Sequence, residues 1–539
     1  MRKLFLILAA ALAMPLCSTA QEKAIKPLNV PMSFAGNYGE LRRNHFHGGL
    51  DWRVGGKVGD PIHAIKSGYV SRVSVSPTGY GNAVYITHGD GTTSVYGHML
   101  SFRDDIARRV KAEQYHNESF SINLYLGPDE FPLKQGEVFG KVGNTGSSAG
   151  PHLHMEVRDT EEEIPLNYLT LGYYSPEDNL APHFRRIQFF AIDSASIPYV
   201  HKLQSINNPL AYRKTISLPP LSYVAIDAYD IQNGTTGKLA VETYRVSLDG
   251  ELIFEFKVGD VGFTEGRYIS SLVQQGEKGA DLVKTYVEPG NALLQKASYD
   301  NQGLIELPDY KDHNLRIEAL DGFGNRSLLR LTVRRDDSLT PSVPPRDTTA
   351  HYAEWLWNMP GIIDCEDFSY TLPVGALCTS ANVSYKIVAP ADSLSGRLSP
   401  VWRIDSPRVA LQKSGTLSFK ADVPDELQGK TFIASYSSSG GRLSHAGSRV
   451  GFGTYCLAYD VTAPKIGVDR HGRYTVSDDR SGVSSVRVEI DGEWHLFKFY
   501  RGVVTILDRE SISRGKHYLR ITATDHCGNS SELVRSVKF

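Results

Sequence analysis

The sequence lacks an excess of charge of either sign. Its 539 residues carry 58 Lys and Arg against 60 Asp and Glu, which gives a formal net charge of -2. Such a chain has no overall basic field to hold a phosphate backbone, so nucleic acid is excluded as an expected partner. With 41% hydrophobic and 22% charged residues, the composition is also unlike that of disordered chains, and we expect most of the chain to fold.

Long hydrophobic runs are absent beyond the first residues. Arg2 and Lys3 precede an apolar run that ends at Leu16, and small residues follow it at 18–20. This pattern is typical of a secretory signal peptide, which we place at 1-20. No later run approaches the roughly 20 residues that span a bilayer, so we expect an exported mature chain without a transmembrane segment. The sequence does not separate the periplasm from the cell surface.

Cysteine is scarce. After removal of the predicted signal peptide four cysteines remain, and none has C-x-x-C spacing: Cys365, Cys378, Cys456 and Cys527. A zinc knuckle or a thioredoxin-like motif is therefore not supported. Export permits disulfides, and we expect either buried thiols or one bridge.

Short β-prone runs alternate with glycine-containing turns over the first part of the chain. The run at 83–86 and the turn Gly89-Asp90-Gly91 are examples, and together they predict a compact all-β unit over 21-175. From 178 onward, alternating strands such as 244–248 run into Asp-Gly turns, a pattern typical of hairpins in β-sandwiches. The predicted fold class is all-β.

Two parts of the chain repeat each other. The run RVSLDGE at 245–251 is echoed by RVEIDGE at 487–493, and LRI followed by Asp and then Gly-Asn occurs both at 315–325 and at 519–529. We infer two related β-sandwiches, the first of which contains an insertion. The repeated Asp-x-x-Gly-Asn motif could suggest calcium, but a turn at a strand end explains it more simply.

A proline-rich linker at 340–345 introduces a further β-rich segment between the two repeats. The three C-terminal segments resemble immunoglobulin-like modules in pattern, and we expect them to position the first unit or to bind an envelope protein partner. The predicted segments are 1-20, 21-175, 178-335, 346-459 and 460-539.

Histidines concentrate in the N-terminal unit. In the extended His152-Leu153-His154 run, strand alternation puts both imidazoles on one face. His47 and Asp51 also share a face in an extended segment. Two imidazoles and one carboxylate make a good first-row metal site, and three protein ligands leave a fourth position for water, as in catalytic zinc. The expected chemistry is hydrolysis.

No H-E-x-x-H motif is present, so a glutamate base in the usual zincin position cannot be assigned. Histidine suits proton transfer because its pKa lies near neutrality. The candidates are His98 and whichever of His152 and His154 is not a ligand. His45 and His88 are interpreted as turn or supporting residues and are not placed in the site.

Six motifs in this unit occur in the order found in one peptidase family. The motifs are 47–51 (HGGLD), 64–70 (AIKSGYV), 85–89 (YITHG), 96–99 (YGHM), 143–147 (GNTGS) and 150–156 (GPHLHME). In these motifs the unit resembles the LytM/lysostaphin-type zinc metallopeptidases of the M23 family. The resemblance covers roughly the N-terminal quarter of the chain.

The resemblance implies a Zn2+ ion held by His47, Asp51 and His154, with His98 and His152 as catalytic residues. It also implies an endopeptidase that cleaves peptide cross-bridges of bacterial peptidoglycan. Every metal and catalytic position is filled, which argues against degenerate relatives that only bind or activate other enzymes.

Two departures from the family pattern bear on the substrate. An insertion over 103–132 is expected to edge or cover the groove. The lead-in at 37–42 is closer to Gram-negative envelope members than to lysostaphin, which favours a D-alanyl to diaminopimelate bond over glycyl-glycine. Two alternatives stay open: a non-cutting peptidoglycan-binding or amidase-regulating envelope protein, and a secreted protease that acts on ordinary protein.

Overall fold

A computed structural model describes residues 22–539 except 43–44, 169–170, 175, 194, 236, 276–280, 294–297, 342, 344, 407–408, 438 and 440. The predicted signal peptide at 1–20 lies outside the described residues. The described residues form an almost entirely β structure, which confirms the predicted fold class. Within them, no helix is long and apolar enough to cross a membrane.

In the N-terminal segment, the described residues form one helix among short strands. Its elements are β1 (Phe34–Gly36), β2 (Leu50–Arg53), β3 (Pro61–His63), β4 (Gly68–Val75), β5 (Asn82–His88), β6 (Thr92–Gly97), β7 (Ser101–Phe102), α1 (Asp104–His116), β8 (Ile122–Tyr125), β9 (Pro132–Leu133), β10 (Val138–Lys141) and β11 (His152–Asp159). Eight strands form one sheet in the order β1-β2-β11-β6-β5-β4-β8, with β9 paired to β4. A smaller sheet has the order β3-β10-β7.

The described residues of the second segment form two six-stranded sheets. Its elements are β12 (His183–Ile192), β13 (Val200–Asn207), β14 (Ile216–Leu218), β15 (Leu221–Tyr229), β16 (Thr243–Leu248), β17 (Glu251–Lys257), α2 (Phe263–Gly266), α3 (Ile269–Leu272), β18 (Val273–Gln275), β19 (Asp281–Lys284), β20 (Ser298–Tyr299), β21 (Ile305–Glu306), β22 (Asp312–Leu320) and β23 (Arg326–Arg335). The orders are β13-β12-β15-β19-β18, with β21 on β15, and β14-β23-β22-β16-β17-β20.

The described strands of the third segment are β24 (His351–Trp355), β25 (Gly361–Asp364), β26 (Phe368–Leu372), β27 (Ala381–Ala389), β28 (Val401–Asp405), β29 (Gly415–Phe419), β30 (Thr431–Tyr436), β31 (Leu443–His445), β32 (Arg449–Val450) and β33 (Gly453–Tyr459). They form a six-stranded sheet, β24-β27-β28-β33-β30-β31, and a four-stranded sheet, β25-β26-β29-β32.

The strands of the fourth segment are β34 (Lys465–Val468), β35 (Tyr474–Ser477), β36 (Val483–Ile490), β37 (Glu493–Trp494), β38 (Phe497–Tyr500), β39 (Val503–Ile506), β40 (Lys516–Asp525) and β41 (Ser530–Lys538). They form two four-stranded sheets, β34-β35-β39-β38 and β37-β36-β40-β41. Short 3-10 turns occur in the last three segments, at Pro209–Ala211, Asn301–Gly303, Asp337–Leu339, Ser393–Ser395, Asp425–Leu427 and Arg509–Ser511.

In the third and fourth segments both sheets contribute to one buried core, as in a β-sandwich. In the fourth, Val476 and Val504 of one sheet pack in the same core as Val488 and Ile521 of the other. The first two segments instead share a continuous core that runs from Ala24 to Val333. The M23-like unit is therefore supported along one side by the second segment.

The insertion at 103–132 does not border the groove that holds the histidines. Its helix α1 lies against the fourth segment, where the Tyr115 and Trp494 rings meet edge to face with centroids 5.4 Å apart. The Tyr115 hydroxyl donates to Asp508 Oδ2 at 3.0 Å, and Lys111 pairs with the same carboxylate. The expectation that the insertion edges or covers the groove is therefore wrong. Its helix packs against the fourth segment instead.

All four cysteines outside the predicted signal peptide are free thiols in the structure. Cys378, Cys456 and Cys527 are buried, while Cys365 is partly exposed. Of the two predicted states, buried thiols or one bridge, the structure shows thiols.

Candidate metal centre and groove

The pairing of three strands brings the predicted site residues together. In the sheet, His154 of β11 lies opposite Asp51 of β2 on one side and opposite Gly97 of β6 on the other. His152 shares the face of His154, as strand alternation predicts. His98 follows β6 directly, so it reaches the same place from the neighbouring strand.

His47 reaches this point from the loop before β2, which approaches β11 very closely. A Cβ atom on Gly49 would lie 2.2 Å from the Met155 carbonyl oxygen. Only glycine permits this approach, because no real side chain tolerates such a contact. The HGGLD motif therefore has a steric reason for its second glycine.

Three atoms form a compact triangle at the floor of the groove. His47 Nε2 lies 3.0 Å from Asp51 Oδ1 and 3.0 Å from His154 Nδ1, and His154 Nδ1 lies 2.9 Å from Asp51 Oδ1. All three side chains are buried. Among the described residues, this trio is one of the groups whose geometry could hold a metal ion.

The outer hydrogen bonds of the triangle set which ring nitrogens carry protons. His47 Nδ1 lies 2.8 Å from the Asn37 carbonyl oxygen, which can only accept, so Nδ1 carries the hydrogen and Nε2 keeps its lone pair. His154 Nε2 lies 2.8 Å from the Glu156 carboxylate, so the neutral ring has its lone pair on Nδ1. Burial opposes protonation of this ring, but the hydrogen bonds to Asp51 and Glu156 outweigh it and raise the pKa of His154 to about 9, so a bound cation would displace one proton. Two lone pairs and one carboxylate oxygen therefore face one point, which is the donor set a cation needs.

Charged groups behind the triangle keep its members in place. Arg42 donates to Asp51 Oδ2 at 2.9 Å, which leaves Oδ1 pointing to the two imidazoles. Arg158 donates to Glu156 Oε2 at 2.7 Å, and Tyr80 donates to Oε1. Burial opposes ionisation of Glu156, but the Arg158 charge and the His154 hydrogen bond outweigh it and lower the pKa of the carboxyl group.

His98 and His152 form the other side of the centre. Their ring centroids are 4.8 Å apart, and His152 Nε2 lies 3.5 Å from Asp51 Oδ1. Nδ1 of His98 bonds to the Thr145 carbonyl at 2.8 Å and Nδ1 of His152 to the Gly150 carbonyl at 2.8 Å. Since carbonyls only accept, the neutral form of each ring keeps Nε2 as a base.

Two features single out His98. Burial, together with the neighbouring His154 and His152, lowers its pKa to about 4, so the ring is neutral at neutral pH. Its backbone φ is 60°, in the left-handed region that few residues other than glycine and asparagine adopt. Strained backbone of this kind persists where the surrounding structure holds it, and it is common at functional sites.

His88 and His45 lie outside the triangle. His88 Nδ1 is hydrogen-bonded to the Ser67 carbonyl oxygen at 2.9 Å, and its Nε2 to Ser94 Oγ at 2.8 Å. Both ring nitrogens are therefore occupied by structural hydrogen bonds. His45 borders the groove.

The centre lies in a groove of about 870 Å³. Most of its border comes from the N-terminal segment, including Glu40, Arg42 and the 147–151 loop. One border residue, Phe263, comes from α2 of the second segment, is 52% exposed and lies with its ring 4.7 Å from the Arg158 guanidinium.

The sequence did not indicate two kinds of residue at this site, those behind the metal triangle and one at the groove border. Glu156 and Arg158 continue the alternation of His152 and His154 on β11, so the H-x-H-x-E-x-R pattern was available as a signal. Phe263 had no such signal, because it lies more than one hundred residues further along the chain in another segment.

Residues 45–116 match the model of peptidase family M23. The chain contains an M23 peptidase domain. The match includes His47, Asp51 and His98, and the β11 histidines follow it in the fold.

The chain is 30% identical over 131 residues to a DD-carboxypeptidase/endopeptidase of Neisseria meningitidis serogroup B, which covers 24% of each chain. The chain thus spans about a quarter of the length of the curated relatives it matches first. The solved catalytic domain of a prophage-encoded M23 protein from Enterococcus faecalis is 30% identical, covering 23% of this chain and 77% of that one with a TM-score of 0.17. The lysostaphin catalytic domain from Staphylococcus simulans is 25% identical, covering 24% and 79% with a TM-score of 0.18.

Proposed function

We propose that this protein is an exported zinc metalloendopeptidase that hydrolyses peptide cross-bridges of peptidoglycan. The observation that carries the proposal is the convergence of two imidazole lone pairs and one carboxylate oxygen at the floor of an open groove in an M23 domain, with two further histidines beside them. The similarity to a bacterial DD-carboxypeptidase/endopeptidase supports this substrate class.

The donor set fits zinc. Ligands each about 2.0–2.1 Å from one tetrahedral ion are separated by roughly 3.3 Å, and the three atoms here are 2.9–3.0 Å apart. His47, Asp51 and His154 would hold the ion. When bound, zinc supplies a Lewis acid that polarises a carbonyl and lowers the pKa of water.

His98 and His152 are proposed to move protons at their Nε2 atoms. Because each Nδ1 is held by a carbonyl, one ring can accept the proton of the attacking water and later return it to the leaving amine. The other ring, as a donor, stabilises the oxyanion that develops on the substrate. The hydrogen bonds to Thr145 and Gly150 fix both rings in the orientation that this requires.

We also propose a role for each segment of the chain. The M23-like unit over 21–175 performs the reaction, and the segments at 178–335, 346–459 and 460–539 are immunoglobulin-like modules that position it or bind an envelope protein. Cleavage of a D-alanyl to diaminopimelate bond in the periplasm or at the cell surface fits the lead-in at 37–42.

The first test is mass spectrometry of the products from cross-linked peptidoglycan, with and without a zinc chelator. We expect conversion of cross-linked dimers to monomers that stops in chelator and returns with added zinc. No conversion by the zinc-loaded protein would favour the non-cutting, binding or regulatory alternative. Rapid digestion of casein would favour a protease for ordinary protein.

Phe263 is expected to contact the substrate from the second segment. Its ring is half exposed at the groove border, so Phe263→Ala removes apolar contact area while the metal centre stays intact. We expect KM for cross-linked muropeptides to rise about 3- to 10-fold with kcat almost unchanged. Leu252→Ala, at an exposed position of the same segment outside the groove, is the control and should leave both constants unchanged. An unchanged KM in Phe263→Ala would contradict this role.

A further inference from the structure

Three aspartates meet where the second segment begins. Asp178 precedes β12, Asp230 follows β15 and Asp321 follows β22. Each offers a carboxylate oxygen, and these oxygens lie within 4.8 Å of one another. Asp230 and Asp321 are buried, so water screens their mutual repulsion poorly.

The fourth segment repeats the same arrangement. Asp460 precedes β34, Asp478 follows β35 and Asp525 ends β40, and their carboxylate oxygens also lie within 4.8 Å of one another. The positions correspond because β34 pairs with β35 as β12 pairs with β15. The sequence echo aligns Asp525 with Asp321. Two related modules thus carry three acids at three equivalent places.

In each trio, one carboxylate oxygen has no hydrogen-bond partner among the residues that the structure describes. Asp230 is 3% exposed, and its Oδ1 atom accepts no hydrogen bond from any described residue. Asp478 is only partly buried, but its Oδ2 atom is buried and likewise accepts no hydrogen bond from a described residue. Burying an unpartnered carboxylate oxygen is costly unless a cation compensates its charge.

The first trio also lacks a basic partner. Within the described part of the chain, no Lys, Arg or His forms an ion pair with Asp178, Asp230 or Asp321. Burial and the neighbouring Asp321 and Asp178 raise the pKa of Asp230 to about 7, which reflects negative charge without compensation.

The Asp-x-x-Gly-Asn turn holds one acid of each trio. Oδ1 of Asp321 accepts from the backbone N–H of Phe323 and of Asn325, both at 2.8 Å, and Asn325 Nδ2 also donates to the Asp178 carbonyl at 3.2 Å. Asp525 is held in the same way by the turn that ends at Asn529, whose amide donates to the Asp460 carbonyl at 3.0 Å. The turn therefore accounts for the asparagine and for the orientation of this carboxylate. Backbone N–H groups also hold Asp178, Asp460 and Oδ1 of Asp478. The hydrogen bonds of the described residues leave Oδ1 of Asp230 and Oδ2 of Asp478 without a donor.

We propose that each of these trios binds one calcium ion. The donors are all carboxylate oxygens, the class that calcium prefers, and neither trio contains the imidazole or thiol that zinc favours. Calcium holds oxygens at 2.3–2.6 Å, so two ligands of one ion lie at most about 5 Å apart, in agreement with the observed spacing. Each ion would tie the first residues of a module to two of its strand ends and so stiffen the junction with the preceding segment.

The test is equilibrium dialysis of the full exported chain against radioactive calcium. We expect two calcium ions per chain, one in Asp230→Asn, one in Asp478→Asn and none in the double variant. The matched control, Asp422→Asn, replaces an exposed aspartate in the third segment and should keep two. Absence of binding at millimolar calcium, or a stoichiometry that neither substitution lowers, would overturn the proposal.

Thermal unfolding separates cation binding from an ordinary structural role. Without calcium, Asp230→Asn should melt at a higher temperature than the wild type because a repelling charge is gone. In millimolar calcium the order should reverse by several degrees, since only the wild type gains from the ion at that site. A variant that is less stable in both buffers would count against the proposal. Neither readout involves hydrolysis, so the outcome is independent of the proposed peptidase activity.

Discussion

His154→Ala is expected to remove stoichiometric zinc and to lower turnover about 1000-fold or more. The substitution deletes one of three proposed ligands and breaks the hydrogen bond from Nε2 that holds Glu156. The remaining pair, His47 and Asp51, is too small a donor set for a tightly bound catalytic ion. Zinc content by elemental mass spectrometry and kcat on cross-linked muropeptides measure the two effects.

A histidine of the same domain provides the control. His116 is exposed at the end of α1 and lies outside the groove, so His116→Ala should keep both zinc and turnover. Circular dichroism of both variants checks that each is folded. One zinc per chain together with near-normal turnover in folded His154→Ala would show that the triangle is not the metal centre.

His98→Asn is expected to keep zinc and to lower kcat by about 100- to 10,000-fold, the range of general acid-base catalysis. His98 is not a member of the metal triangle, so its loss removes proton transfer and leaves the three ligand atoms in place. Asparagine is the right replacement because it tolerates the left-handed backbone at this position, where alanine would be strained.

Zinc content, kcat and KM of His98→Asn are measured together. A loss of kcat at full zinc occupancy identifies a role in the reaction, whereas joint loss of zinc and kcat identifies a role in holding the metal. Full turnover in a folded, zinc-loaded His98→Asn protein would refute the proton-transfer assignment.

The metal centre was largely predictable because its members follow local rules. Strand alternation puts His152 and His154 on one face, but periodicity alone leaves open which of them lies opposite Asp51. The pairing register of β11 with β2 decides this, and register depends on the whole sheet. The resemblance to the M23 family implied the same choice by a different route.

The parts that could not be predicted depend on contacts between distant segments. Phe263 borders the groove only because the first two segments share one core. The insertion at 103–132 was expected at the groove for its position in sequence, yet its helix packs on Trp494 and Asp508. No local pattern around α1 indicates a partner nearly four hundred residues away.

That distant packing has a consequence for how the molecule is made. Contacts between α1 and the fourth segment join residues that are up to 397 positions apart, and closing so long a loop costs entropy and slows folding. The N-terminal part of the chain is synthesised first. The face of α1 that carries Tyr115 therefore stays uncovered until the fourth segment has been made. Because Trp494 and Asp508 are made long after β11, we expect this docking to follow the formation of the groove and its histidines.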